Sequence, residues 1–113
     1  MKIINDKISL AELNALAKNK FGNFVKAVVD LQRGVMAVDA ELHADEEALL
    51  IENGSRQHDL WGINIYPDLK KDDRLEFDSM INLRPAQGNR SRGVESPEIR
   101  DKIREVVKAL VRP

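Results

Sequence analysis

At 113 residues the chain has room for one hydrophobic core and not for a second of ordinary size. Its 42% hydrophobic and 33% charged residues place it with globular chains and exclude a disordered tail. The absence of cysteine rules out disulfides, zinc–thiolate sites and thiol catalysis, and a formal net charge of -1 gives no overall pull toward nucleic acid, membrane or acidic substrates.

Met1 to Asp6 lack the apolar run of a signal peptide, and no stretch approaches the roughly 18 apolar residues of a membrane span. A cytoplasmic protein that does not enter membranes is the expectation. The first helix is predicted over 9–20. Ser9 and Glu12 have capping-box spacing, Ile8 and Leu13 can close a hydrophobic staple, and Leu10, Leu13, Leu16 and Ala17 recur with helical period before Gly22. From Phe24 to Leu31 the pattern alternates, with Val25, Ala27, Val29 and Leu31 on one side and Lys26 and Asp30 among the others. Gln32-Arg33-Gly34 can turn the chain into a returning strand from Val35 to Glu41, which makes a hairpin.

Residues 43–53 support two readings. Asp45-Glu46-Glu47, followed by Ala48-Leu49-Leu50-Ile51 and Gly54, suit a short helix with acids in its first turn. The alternative makes Ala48–Ile51 a strand turning at Asn53-Gly54. Strong helix formers in the segment favour the helix. Trp61, Ile63 and Ile65 alternate with Gly62, Asn64 and Tyr66 in a third strand closed by Pro67. A fourth strand is predicted from Leu75 to Leu83, with Phe77, Ser79, Ile81 and Leu83 on one side. Ser96 as N-cap and Pro97 at the first helical position start the last helix, whose apolar stripe is Ile99, Ile103, Val106, Val107 and Leu110.

The expected fold is α+β, a single domain over 1–113 with the order α-β-β-α-β-β-α. Four antiparallel strands would carry helices on one face, leaving the other polar and open to water or a ligand.

Three strings stand out: Val38-Asp39-Ala40-Glu41-Leu42-His43-Ala44-Asp45, His58-Asp59-Leu60-Trp61-Gly62-Ile63-Asn64-Ile65-Tyr66-Pro67, and Phe77-Asp78-Ser79-Met80-Ile81-Asn82-Leu83-Arg84-Pro85 running on to Gln87-Gly88-Asn89-Arg90-Ser91. Together they resemble a family of small bacterial proteins known as a domain of unknown function, over most of the chain. The resemblance implies a self-contained domain. It implies no activity and assigns no catalytic residue.

Two constellations carry the candidate chemistry. The first is Asp39, Glu41 and His43, which share a face if the segment is extended, joined by Asp78 if the fourth strand lies beside it. Carboxylates with an imidazole suit Mg²⁺ or Mn²⁺ and metal-assisted hydrolysis of a phosphate ester, with Asp39, Glu41 and Asp78 as ligands. Without metal, the same four groups could act as general acid and base. The competing reading is a solvated edge running into an acidic helix start. No established metal-binding spacing and no cofactor motif is evident.

The second is the loop 84–93, with Arg84, Arg90 and Arg92, two glycines, and donors from Asn89 and Ser91. Guanidinium forks meet two oxygens of a phosphate at once, glycines let backbone N–H groups approach an anion, and the loop leads into a helix N-terminus. Its competing reading pairs these arginines with the acidic segment 39–59. Three functions follow. The leading one is a binding module for a phosphate-bearing ligand, nucleotide or nucleic acid, through Arg84, Asn89, Arg90, Ser91 and Arg92. The others are a metal-dependent phosphoester hydrolase and a non-catalytic interaction or homo-oligomerisation domain. The residues do not decide whether the chain is an enzyme.

Overall fold

A computed structural model describes all 113 residues. Two short strands come first, β1 (Lys2–Ile4) and β2 (Ile8–Ser9), then helix α1 (Leu10–Asn19). Ser9 caps α1 as its spacing requires: its Oγ accepts from the Glu12 N–H at 3.0 Å, satisfying a donor that the helix cannot. The hairpin β3 (Val25–Asp30) and β4 (Val35–Val38) follows. Asp30 holds its turn, accepting from the N–H groups of Gln32 and Arg33 with Oδ1 and from the Ser55 hydroxyl with Oδ2. Helix α2 (His43–Glu52) resolves the ambiguity of the middle segment. Strand β5 (Leu60–Ile65), the two-residue strand β6 (Leu75–Glu76), helix α3 (Pro97–Leu110) and strand β7 (Val111–Arg112) complete the order.

The protein is α+β with three helices, as expected, but the sheet has five strands in the order β1-β4-β3-β5-β6, all pairs antiparallel. The added strand, β1, is three residues long, too short to show a period. β2 and β7 pair in parallel as a separate two-stranded sheet.

The helices do not share one face. α1 and α3 cover one side, where Leu13, Ala17, Ile103, Val107 and Leu110 join Val25, Ala27, Val29, Trp61, Ile63 and Ile65 in a cluster of 16 buried residues. α2 covers much of the other, where Leu50 packs on Val28, Val35, Ala37 and Leu60. The expected open face is therefore closed except at one end. There the paired row Lys26–Asn64–Glu76 stays polar.

The predicted strand 75–83 keeps only its first two residues. Beyond Glu76 the chain crosses over β5 and forms a 3₁₀ turn at Met80–Asn82. Gly62 explains the crossing. A Cβ on it would lie 2.6 Å from the Ser79 Cβ, so only glycine admits Ser79 here. Asn82 then imitates a neighbouring strand: its Oδ1 accepts from the Gly62 N–H at 2.8 Å, and its Nδ2 donates to the Gly62 carbonyl at 2.9 Å. Alternation in 77–83 thus serves a segment packed across the sheet. No helix of the protein is long and apolar enough to cross a membrane.

Candidate functional site

Of the five residues predicted to bind a ligand, two are internal braces. Arg84 has a nearly buried side chain. Its Nε donates to the Ile81 carbonyl at 2.9 Å and its Nη2 to the Leu60 carbonyl, while the guanidinium lies 4.9 Å from the Trp61 ring centre. Nη2 is also 3.5 Å from Glu47 Oε2. Burial pulls the Arg84 pKa down, opposed by Glu47, and burial pushes the Glu47 carboxyl up, opposed by Arg84. The pairing of a loop arginine with the acidic segment 39–59 is thus realised at Arg84. Asn89 is buried too. Its Nδ2 donates to the carbonyls of Asn82, Ser91 and Gly93 at 2.7, 3.1 and 2.8 Å, and its Oδ1 accepts from the Glu95 N–H at 2.9 Å. A loop wrapped over a crossing segment must satisfy its own backbone, and Asn89 does so.

The other three, Arg90, Ser91 and Arg92, are exposed. The Arg90 backbone N–H donates to the Glu95 carboxylate, while its guanidinium has no partner in the protein. Ser91 Oγ accepts from the Gly93 N–H at 3.2 Å. Arg92 Nε donates to Asp78 Oδ1 at 2.8 Å.

The carboxylate set does not assemble. No three His, Asp or Glu side chains stand close enough to share an ion. Asp39 sits just past β4 with φ 71. Its carboxylate lies 3.1 Å from Lys20 Nζ and 3.5 Å from the N-terminal amine. Glu41 is exposed, and its carbonyl accepts from Lys26 Nζ at 2.9 Å. The segment 39–43 is not extended: it turns into α2, so the two-residue spacing does not put these side chains on one face. A shared Mg²⁺ or Mn²⁺ site built from Asp39, Glu41 and Asp78 has no geometric support.

The Arg92–Asp78 ion pair instead joins one member of each constellation. His43, the first residue of α2, is buried to 8% exposure, and its Nε2 donates to the Ile63 carbonyl at 2.8 Å. Burial pulls its pKa below the ordinary value, against the Ile63 bond; the charges acting on it are those of Lys26, Asp78 and Arg92. The ring thus sits against β5 where the crossing segment also covers it: Asn82 Nδ2 donates to the carbonyls of Gly62 and Arg92, at 2.9 and 3.1 Å. At the polar end of the sheet, Asn64 Nδ2 and the Tyr66 hydroxyl both donate to Glu76 Oε1, at 2.8 and 3.2 Å.

Lys26 and Asn64 belong to this neighbourhood and were visible in the sequence only as members of the polar set of their strands. Glu46 was visible in the sequence only as one of the acids in the first turn of α2. It is fully buried under α2, its Oε2 accepting from the Ala40 N–H at 3.1 Å, and desolvation pushes its pKa up to about 9. The available signal was the helical stripe His43, Glu46 and Leu50, all buried. Two grooves of about 550 and 580 Å³ lie elsewhere, one flanked by Lys20, Glu41 and Asp45, the other by Trp61, His58 and Lys102. Neither is lined by Arg90 or Arg92.

Comparison with curated proteins and with solved structures finds no match. The family described as Protein of unknown function (DUF5674) matches residues 2–110, nearly the whole chain, and the protein belongs to that family.

Proposed function

We propose that the protein is a binding module for a small phosphate-bearing ligand, held where the loop 84–93 meets the start of α2. The observation that carries this reading is a division of labour within the loop. Arg84 and Asn89 brace it from inside, while Arg90 and Arg92 stand exposed on the backbone so braced. Charges on a braced loop lose little freedom when a ligand arrives, so less affinity is spent on ordering. Guanidinium groups suit phosphate because their fork meets two of its oxygens. Lys26, whose Nζ donates to the Glu41 carbonyl just before α2, adds a third cation. The first turn of α2 adds N–H groups that no side chain caps, since its N-cap is Leu42.

The test is calorimetric titration of the full chain with inorganic phosphate and with AMP, at one fixed salt concentration. Changing Arg90 and Arg92 together to Ala should abolish binding while stability changes by less than about 1 kcal/mol, because both side chains are exposed. Unchanged affinity in the double variant would overturn the proposal. A nucleic-acid ligand would announce itself by an affinity that falls steeply as salt rises.

A further inference from the structure

We infer that the ligand carries a hydroxyl close to its phosphate, as a sugar phosphate or the ribose end of a nucleotide does, and that this hydroxyl donates to His43 Nδ1. The inference deepens the function just proposed and rests on it. Its ground is the hydrogen bond of His43 to Ile63. A carbonyl can only accept, so the bond at Nε2 fixes the proton on that nitrogen. Burial keeps the ring neutral, and a neutral imidazole has one N–H. Nδ1 is then a lone-pair acceptor. It has no partner within the protein, and it is not among the atoms sealed from solvent.

The charged groups that act on the ring come from three other elements: Lys26 from β3, Asp78 from the crossing segment and Arg92 from the loop. None is committed to Nδ1. Lys26 Nζ donates to the Glu41 carbonyl, and Arg92 Nε donates to Asp78. The neighbourhood therefore offers cations for an anion and, beside them, one acceptor that needs a donor. The oxygens of a phosphate monoester are all acceptors once its second proton is lost, above about pH 6, so at pH 8 such a phosphate leaves Nδ1 facing like against like. A hydroxyl beside the phosphate satisfies both halves. A site built to pair a hydroxyl discriminates against the analogue that lacks it, because its own polar group is left unpaired.

The experiment compares n-propyl phosphate with glycerol 3-phosphate, which differ in the hydroxyls beside a common phosphate, along with inorganic phosphate. Glycerol 3-phosphate should bind at least tenfold more tightly than propyl phosphate, and His43→Leu should bring the ratio of the two affinities close to one. Because His43 is buried, a second readout uses the unaltered protein. With only two histidines in the chain, nitrogen NMR of labelled imidazoles can follow His43 directly. Its Nδ1 signal should move with glycerol 3-phosphate and stay with propyl phosphate. Ribose 5-phosphate and AMP, run the same way, separate a sugar phosphate from a nucleotide as the source of the hydroxyl. Equal affinities with no Nδ1 response overturn this inference and leave the phosphate module standing. Failure of every phosphate compound to bind overturns both.

Discussion

The two faces of the sheet are built on different principles. Under α1 and α3 lies an apolar cluster of 16 buried residues. Under α2 the apolar cluster has only five, and nearly all the buried polar groups gather on that side. Asp30, His43, Glu46, Ser55, Asn64, Ser79 and Asn82 are there, with Asn89 just beyond. The large face supplies the burial that drives folding. The small one spends less of its area on burial and more on placed hydrogen bonds, which are worth little net when made and cost much when broken. A polar face of this kind specifies positions, and the candidate site lies at its open end.

Breaking the large face should cost most. Ile103→Ala opens a cavity among fully buried neighbours, and denaturant unfolding should register a loss of about 2–5 kcal/mol at any pH near neutral.

On the small face, the response should depend on pH. Glu46 in the folded protein keeps its proton up to about pH 9, whereas its ordinary value is 4.5. Between those values the folded state holds a proton that the unfolded state has lost, so Glu46 makes stability fall as pH rises. Glu46→Gln keeps the acceptor for Ala40 and removes the acid. It should stabilise the fold by on the order of 3 kcal/mol at pH 8 and by almost nothing at pH 4.5. A pH-independent difference would contradict a buried neutral carboxyl. His43 works in the opposite sense: its lowered pKa makes stability fall on acidification below its ordinary value of 6.5. Two buried groups one turn apart on α2 thus tilt the pH profile in opposite directions.

The smallest effect tests the crossing segment. Gly62→Ala should cost about 1–3 kcal/mol through overpacking against Ser79, measured by thermal unfolding. Adding Ser79→Gly should recover part of the loss, because it removes the atoms in the way. No recovery would mean that the contact at Gly62 is not what holds the segment.

Legibility in the sequence followed the range of the interactions involved. Ser9 and Ser96 announced their helices because a cap and its N–H partner lie three residues apart. The hairpin at Gly34 was equally plain. Segment 75–83 misled because alternation reports two-sidedness and does not name the neighbour: Ser79 and Asn82 answer to Gly62, some twenty residues away. Among the site residues, Arg90, Ser91 and Arg92 remain exposed as a loop composition suggests. Arg84 and Asn89 have the same composition and turn inward, since only the folded backbone shows which carbonyls need a donor.

By itself the sequence determined the fold class, the extents of α1 and α3 and the presence of the hairpin, though its second strand stops at Val38 and not at Glu41, because caps, periods and turns are local and act before the chain is packed. Tertiary structure alone decided that α2 closes the second face, that Asp39 pairs with Lys20 and takes no part in a carboxylate cluster, and that His43 bonds the Ile63 carbonyl. Each of these joins segments far apart in the chain. Which distant groups meet depends on how whole elements share a limited interior, and no local pattern records that.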